Sequence, residues 1–214
     1  TNGKIDYKAQ QVFSVKDFAK KDERIQKMVD EFGSLDIFSK VVGHNDANID
    51  SKESLGCFMT DVMRETTKSD IAFQNPGGVR LSKLPAGKIT AKDIYKMDPF
   101  DNIIIKYKVS GQEIMDMLEM ACYKTEDFPM FCSGCTCIIH RNEYEEIESI
   151  EILLDNGTPL NLKAKYTIAI NSYMSSVYGL DRHKGKVFPH SNEMTIDFLK
   201  KHPHINYAGV TRLK

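Results

Sequence analysis

Apolar residues recur at two different spacings along this chain, and the two spacings predict helices and strands respectively. From 15 to 38 they return every three or four residues among many lysines and acids, which predicts an amphipathic helix ending near Gly33. The capping sequence at 50–53 predicts a second helix that continues to about Lys68. The same spacing predicts helices over 91–97, 112–123 and 193–202, whereas 1–15 has no clear period and is typical of an arm.

Shorter apolar runs that stop at turn residues predict the strands. These runs cover 40–43, 69–74, 102–109, 147–154 and 165–170, and a hairpin signal, Asp155-Asn156-Gly157, follows the fourth. The predicted strands and helices do not alternate strictly. The pattern therefore predicts an α+β fold in which a mixed β-sheet is layered between helices.

Composition is ordinary for a globular protein and gives no sign of a nucleic-acid or membrane partner. The chain has 214 residues, of which 41% are hydrophobic and 28% are charged, so it can bury a sizeable core. A net charge of −1 gives no electrostatic reason to expect nucleic acid or an anionic membrane as the partner. No apolar stretch reaches the roughly 18 residues that a membrane span requires.

The segment Asn75-Pro76-Gly77-Gly78-Val79-Arg80 directly follows the predicted strand 69–74. Adjacent glycines allow backbone N–H groups to approach a ligand closely, and an arginine can bind a phosphate or carboxylate through two hydrogen bonds. The same residues also fit an ordinary turn that carries a surface arginine. The segment alone leaves both interpretations open.

Three of the five cysteines, Cys132, Cys135 and Cys137, are crowded together. A zinc or redox site is one interpretation, with His140 as the nearest additional ligand, and a disulfide is another. However, small and apolar residues alternate here as in a strand, and cysteine is readily buried as a small hydrophobic residue. This pattern favours a structural core role over metal binding or a disulfide.

Eight short motifs follow one another in order from about Lys40 to the end of the chain. They are Glu53-Ser54-Leu55-Gly56, Asp70 to Arg80, Gly87-Lys88-Ile89-Thr90, Asp98-Pro99-Phe100-Asp101-Asn102, Val109-Ser110-Gly111-Gln112-Glu113, Ser133-Gly134, Ile170-Asn171-Ser172-Tyr173 and Gly209-Val210-Thr211-Arg212-Leu213. Their order and spacing resemble the C-terminal domain of the 5′-nucleotidase family, which includes UDP-sugar hydrolases and 2′,3′-cyclic nucleotide phosphodiesterases. The resemblance implies an arm and linker helix over 1–39 and a substrate-recognition domain over 40–214.

The resemblance also implies that this domain recognises a nucleoside or nucleoside monophosphate. In the family a loop asparagine and arginine contact the ligand, and two aromatic rings hold the base between them. The matching positions here are Asn75, Gly77, Gly78, Arg80, Phe100, Tyr173 and Asp181. Without the resemblance, an aromatic residue after a proline is more often part of the core, and a lone tyrosine is as often packed as exposed.

Catalysis in the family uses two divalent metals in a separate N-terminal metallophosphatase domain. Its ligand motifs cannot be assembled here, so the sequence predicts no catalytic residue, metal ligand or cofactor in this chain, and a metallophosphatase partner chain or domain. The sequence Gly43-His44-Asn45-Asp46 looks like a fragment of such a motif, but a lone His-x-Asp cannot hold two metals. We expect a surface or capping histidine there. The family is mostly secreted, which implies a periplasmic or other extracytoplasmic location.

Two departures from the family pattern leave two hypotheses. Ile49 stands where related enzymes carry an arginine, with only Lys52 nearby as a cation, and the Gly-Gly-Asp expected after Tyr173 is replaced by a longer segment ending at Asp181. The first hypothesis is a nucleotide-recognition domain of a 5′-nucleotidase-type phosphohydrolase. The alternative is a degenerate, non-catalytic binding or interaction module of the same fold.

Overall fold

The structure is a computed structural model that describes residues 10–14, 21–124 and 130–214. The chain divides into two units, Thr1–Phe38 and Ser39–Lys214. Near the junction lie two helices, α1 (Glu23–Gly33) and α2 (Asp36–Ser39). Helix α1 ends at Gly33, as the apolar spacing predicts, and α2 is a separate short helix. The predicted segment 15–20 lies outside the described residues, as does 1–9 of the predicted arm.

The boundaries of α1 follow from its caps. The carboxylate of Asp22 accepts hydrogen bonds from the backbone N–H groups of Arg24 (2.9 Å) and Ile25 (3.1 Å), which satisfies donors that the first helical turn leaves free. At the other end, the Ser34 N–H bonds to the Asp30 carbonyl at 3.0 Å and closes the last turn. Because Asp22 caps the helix, α1 begins at Glu23 rather than near Val15.

The unit from Ser39 onward contains ten strands and five helices among its described residues. The helices are α3 (Lys52–Thr67), α4 (Ala91–Met97), α5 (Gly111–Lys124), α6 (Ser172–Val177) and α7 (Ser191–Lys201). The strands are β1 (Val41–Asn45), β2 (Ile71–Gln74), β3 (Gly87–Thr90), β4 (Ile103–Ser110), β5 (Phe131–Ser133), β6 (Cys135–Arg141), β7 (Ile147–Leu154), β8 (Lys165–Asn171), β9 (Lys186–His190) and β10 (His204–Ile205). The predicted caps are present, since Ser51 caps α3 and Thr90 and Asp93 form a reciprocal capping box on α4.

A five-stranded sheet lies at the centre in the order β5-β2-β8-β4-β9. The pair β2–β8 is parallel and the other three pairs are antiparallel, so the sheet is mixed. A three-stranded sheet, β10-β1-β3, and the hairpin β6-β7 complete the unit. The predicted α+β fold with a mixed sheet is confirmed.

Helices cover both faces of the central sheet, because its strands are apolar on both sides. On β2, Ile71 and Phe73 belong to the core that includes one face of α5, while Ala72 between them belongs to the core formed with α3, α4 and α7. On β8, Ile168 and Ile170 likewise face the α5 side. Two hydrophobic cores therefore hold the sheet in place.

The cysteine segment differs from the single strand that its alternation suggests. It forms β5 in the central sheet and β6 in the hairpin, separated by Gly134. Gly134 has φ +85°, a left-handed conformation that favours glycine, and a Cβ there would overlap the carbonyl oxygen of Asp70. The chain therefore changes sheets at this residue.

The hairpin signal at 155–157 does form a turn, but the segment that follows it pairs only briefly with β7. Gly157 lies at φ +78°, as a tight turn requires, but the chain beyond it pairs with β7 through one isolated bridge, between Leu153 and Pro159. The extended partner of β7 is instead the preceding strand, β6. Among the described residues, no helix has the length and apolar character needed to cross a bilayer.

Candidate functional site

Three loops meet at one edge of the central sheet because of its strand directions. The strands β2 and β8 run parallel and side by side, so their carboxyl ends lie together. The strand β4 runs antiparallel to β8, with Ile104 opposite Asn171, so β4 begins at the same edge. The segments that follow β2 and β8 and the one that precedes β4 are therefore neighbours in space, although about 100 residues separate the segment after β2 from the segment after β8.

A cavity of about 410 Å³ lies between these loops, and we call it the loop cavity. This volume is within the range of small-molecule sites. The rings of Phe100 and Tyr173 both line it, and they are 37% and 55% exposed. Its lining residues are Asn75, Gly77, Gly78, Phe100, Asp101, Asn102 and Tyr173. Five of the seven predicted ligand-binding residues thus line one cavity, together with Asp101 and Asn102, for which no ligand contact was predicted.

The glycine pair forms a tight wall of this cavity. Residues Pro76–Gly78 make one 3₁₀ turn, closed by a hydrogen bond from the Gly78 N–H to the Asn75 carbonyl at 2.9 Å. A Cβ at Gly78 would overlap the side-chain amide of Gln74 and lie 2.9 Å from Asn75 Oδ1. Only glycine fits at this position without a shift of both side chains.

Asn171 joins the loop after β2 to the helix after β8. Its buried Nδ2 donates hydrogen bonds to Gln74 Oε1 at 2.8 Å and to Asn75 Oδ1 at 2.9 Å. Its Oδ1 accepts one from the Met174 N–H at 2.8 Å and thereby caps α6, the helix that carries Tyr173. Asn171 belongs to the motif Ile170-Asn171-Ser172-Tyr173, but its capping role was not predicted, although an asparagine between a strand and an aromatic segment is a helix-start signal.

The segment that carries Phe100 is fixed by a buried acid. The Asp98 carboxylate accepts a hydrogen bond from the Ser191 hydroxyl at the start of α7 and another from the Phe100 N–H at 3.4 Å. The Ser191 N–H in turn bonds to the Asn102 carbonyl at 2.9 Å. Burial raises the pKa of the Asp98 carboxyl above its ordinary value. Hydrogen bonds to Asp98 and to the Asn102 carbonyl therefore hold both ends of the segment 98–102, which carries Phe100.

Two predicted ligand-binding residues do not line the loop cavity. The Arg80 guanidinium carbon lies 5.7 Å from the centre of the Phe100 ring, so Arg80 stacks beside that ring at the rim. Asp181 is exposed in the 3₁₀ turn Leu180–Arg182. Ile49, at the expected arginine position, is fully buried and paired with Leu84 through two backbone hydrogen bonds.

Two groups of metal-ligating side chains occur among the described residues. One is Cys132, Cys135 and Cys137, which are fully buried in the α5-side core as free cysteines. The other consists of His44, Asp46 and His204, all partly or largely exposed. Each group offers three ligand atoms, too few to surround the two metals about 3.5–4 Å apart of a dinuclear hydrolase. Neither group among the described residues therefore fits the metal pair that the resemblance implies for catalysis.

A second depression, which we call the polar groove, has a volume of about 560 Å³. Two of its charges pair with each other: Arg212 contacts both carboxylate oxygens of Asp61 at 2.9 Å, and the Tyr207 hydroxyl donates to the same carboxylate at 2.8 Å. Its lining residues are Asp61, Arg64, Glu65, Lys68, Ser69, Ser133, Tyr207 and Arg212.

The chain is similar to proteins of one family. Over 192 residues it is 27% identical to the endonuclease YhcR of Bacillus subtilis, covering 83% of this chain and 15% of the relative. It is 30% identical to the NAD 5′-nucleotidase of Haemophilus influenzae over 185 residues, covering 73% of this chain and 30% of the relative. The chain thus spans less than a third of the length of either relative.

A solved structure and a family profile agree with these matches. The structure of a 5′-nucleotidase precursor from Thermus thermophilus has the same fold, with a TM-score of 0.72, 19% identity, and coverage of 90% of this chain and 43% of that one. The profile of the 5′-nucleotidase C-terminal domain matches residues 37–181, which is more than half of the chain. The chain therefore belongs to the family of 5′-nucleotidase C-terminal domains.

Proposed function

We propose that this chain binds the nucleoside part of a nucleotide in the loop cavity, with the base between Phe100 and Tyr173. The observation that carries the proposal is that two separate loops present these two rings to the same cavity while both rings stay substantially exposed. Aromatic rings are normally covered, because burying them stabilises the fold. Stacking a base on such a ring contributes about 1–3 kcal/mol and suits any base.

The polar groups around the rings favour an uncharged ligand portion. Asn75 and Asn102 offer amide donors and acceptors, and Asp101 offers a carboxylate that accepts hydrogen bonds from sugar hydroxyls or from base N–H groups. No lysine or arginine is among the described residues that line the cavity. We therefore propose that the phosphate extends out of the cavity into solvent.

Hydrolysis belongs to a second domain in this proposal. Cleavage of a phosphate ester in this family's manner needs two metals and an activated water, which the two three-residue groups described above do not support. A metallophosphatase domain, on the same polypeptide or on a partner chain, would supply them. We place the complete enzyme in nucleotide breakdown outside the cytoplasm, in keeping with the family.

Calorimetric titration with adenosine tests the binding proposal. We expect saturable binding to the chain, and at least about fivefold weaker binding after Phe100→Ala or Tyr173→Ala, since each removes one stacking surface. Tyr144→Ala is the matched control, because Tyr144 is 74% exposed in the turn between β6 and β7 and lines neither depression. Unchanged affinity in both cavity variants would contradict the proposal.

The same titration separates the two hypotheses. We expect AMP to bind within about threefold of adenosine, because the cavity offers its phosphate no cation. Failure of adenosine, uridine and AMP to bind at millimolar concentration would favour the non-catalytic interaction module instead. Turnover of AMP by the purified chain in the presence of Mn²⁺ or Zn²⁺ would refute the proposal that hydrolysis requires a separate metallophosphatase domain.

A further inference from the structure

Two histidines far apart in sequence lie side by side on paired strands. In the parallel pair β1–β10, His44 is directly opposite His204. The pairing is held by hydrogen bonds from the His44 N–H to the Pro203 carbonyl at 2.6 Å and from the Asp46 N–H to the Ile205 carbonyl at 2.9 Å. Because directly paired residues project to the same face of a sheet, the two imidazoles are neighbours, with ring centres 5.2 Å apart.

One carboxylate lies between the two imidazoles. The Nδ1 atoms of His44 and His204 lie 3.1 Å and 2.8 Å from the same oxygen, Oδ1 of Asp46. The three potential ligand atoms all lie within 4.8 Å of one another. A Zn²⁺ ion binds nitrogen and oxygen at about 2.0–2.2 Å, so its ligand atoms are separated by a little over 3 Å, and small side-chain rotations would surround an ion here.

We propose that His44, Asp46 and His204 form a site for one divalent late transition-metal ion, of which Zn²⁺ is the representative. Imidazole nitrogen is a good ligand for zinc, copper and nickel, whereas magnesium and calcium prefer sites made only of oxygen. In the metal-bound state each imidazole would carry its proton on Nε2, so that the Nδ1 lone pair binds the ion. Asp46 supplies one oxygen, and water occupies the remaining coordination positions because all three side chains reach solvent.

The site is separate from the loop cavity, since none of its three residues lines that cavity. Its position gives it a structural consequence. The ion would join β1, which opens the 39–214 unit, to β10, a strand of only two residues near the end of the chain. We therefore expect bound metal to fix the C-terminal segment on the small sheet and to stabilise the fold without contributing to hydrolysis.

The test uses the 214-residue chain without an affinity tag, titrated with Zn²⁺ in a calorimeter and followed by thermal unfolding. We expect one equivalent of Zn²⁺ to bind saturably and to raise the unfolding temperature, because an ion that binds only the folded state stabilises it. His44→Ala and His204→Ala should each weaken Zn²⁺ binding by at least tenfold. His204→Gln, which keeps a polar side chain of similar length, should do the same.

Two controls make the result decisive. His140→Ala removes another exposed histidine, one that lies 4.0 Å from Glu151, and should leave Zn²⁺ affinity unchanged. Cys137→Ser tests the buried cysteine group as the source of binding. The proposal is overturned if no saturable Zn²⁺ binding occurs, if affinity is unchanged in the His204 variants, or if binding is lost in Cys137→Ser while the histidine variants retain it.

Discussion

The loop cavity and the polar groove are depressions of similar size, but they differ in how far their side chains already contact other protein groups. In the groove, the Asp61 carboxylate already bonds Arg212 and Tyr207, and Arg64 already contacts Asp155 at 2.9 Å. In the loop cavity, the aromatic residues Phe100 and Tyr173 remain 37% and 55% exposed. A ligand entering the groove would have to break existing ion pairs, whereas a flat ligand in the cavity would cover apolar surface.

This difference is the reason that we propose the loop cavity, and not the polar groove, as the binding site. Removing one partner of a partly buried charge pair leaves the other charge uncompensated and destabilises the folded chain. Exposed rings held by a rigid backbone lose little freedom on binding and gain contact area. Substitutions in the groove should therefore change stability alone, and substitutions in the cavity walls should change adenosine affinity.

The largest effect is expected for Asn171→Ala, which should lower both the stability of the fold and the affinity for adenosine. It leaves the buried acceptors of Gln74 and Asn75 without their donor and removes the cap of α6, so the free energy of unfolding should fall by about 2–4 kcal/mol. Adenosine affinity should fall as well, because α6 positions Tyr173. Urea unfolding and calorimetry measure the two effects. Asn206→Ala, at an exposed turn, is the control and should change neither by more than about 0.5 kcal/mol.

Asp61→Ala should have the next largest effect and lower the free energy of unfolding by about 2 kcal/mol, because the half-buried Arg212 guanidinium loses both of its carboxylate contacts. Adenosine affinity should stay within twofold of the unsubstituted chain. Asp155→Ala removes the exposed partner of Arg64 and should cost less than about 1 kcal/mol. Loss of adenosine binding in Asp61→Ala with a folded protein would mean that the groove is the site.

Gly78→Ala should lower the free energy of unfolding by about 1–3 kcal/mol, because its Cβ overlaps the side chains of Gln74 and Asn75 and forces them to move. Gly77→Ala is the matched control, since its Cβ would meet only Asn75 Nδ2, at 3.3 Å. Thermal unfolding of the two variants compares them directly. Equal melting temperatures would show that the wall is less tightly packed than these contacts indicate.

The smallest effect is expected for Arg80→Ala. A cation beside an exposed ring contributes about 0.5–1 kcal/mol, so loss of Arg80 should weaken adenosine binding about two- to fivefold through the position of Phe100. Lys83→Ala, an exposed cation in the same connection, should have no effect. A loss of AMP binding well above tenfold would instead indicate the direct ligand contact that the family resemblance implies.

The sequence predicted local features well and distant contacts poorly. The helices that follow Ser51 and Thr90 were predictable because a cap and a periodic apolar face are local signals. The break at Gly134 was not, because it depends on the close approach of the Asp70 carbonyl from another part of the chain. The short strand β10 was missed for the same reason, since two residues carry no period and pair only with β1.

The same limit applies to the site. Phe100 and Tyr173 were assigned through the order of motifs, and the strand directions bring them to one cavity. Asn171, which ties the two loops together, was missed because its partners Gln74 and Asn75 lie almost 100 residues earlier in the chain. His44 was expected to be a surface histidine, and only the pairing of β1 with β10 places His204 beside it.

The most direct test of the central claim is to record amide NMR spectra of the ¹⁵N-labelled chain during titration with adenosine. We expect the largest shifts at the amides of Gly77, Gly78 and Asn102, because a base stacked on Phe100 and Tyr173 would lie against them. The groove amides of Ser69 and Arg212 should stay in place. Shifts confined to the groove, or no shifts at a saturating adenosine concentration, would contradict nucleoside binding between the two rings.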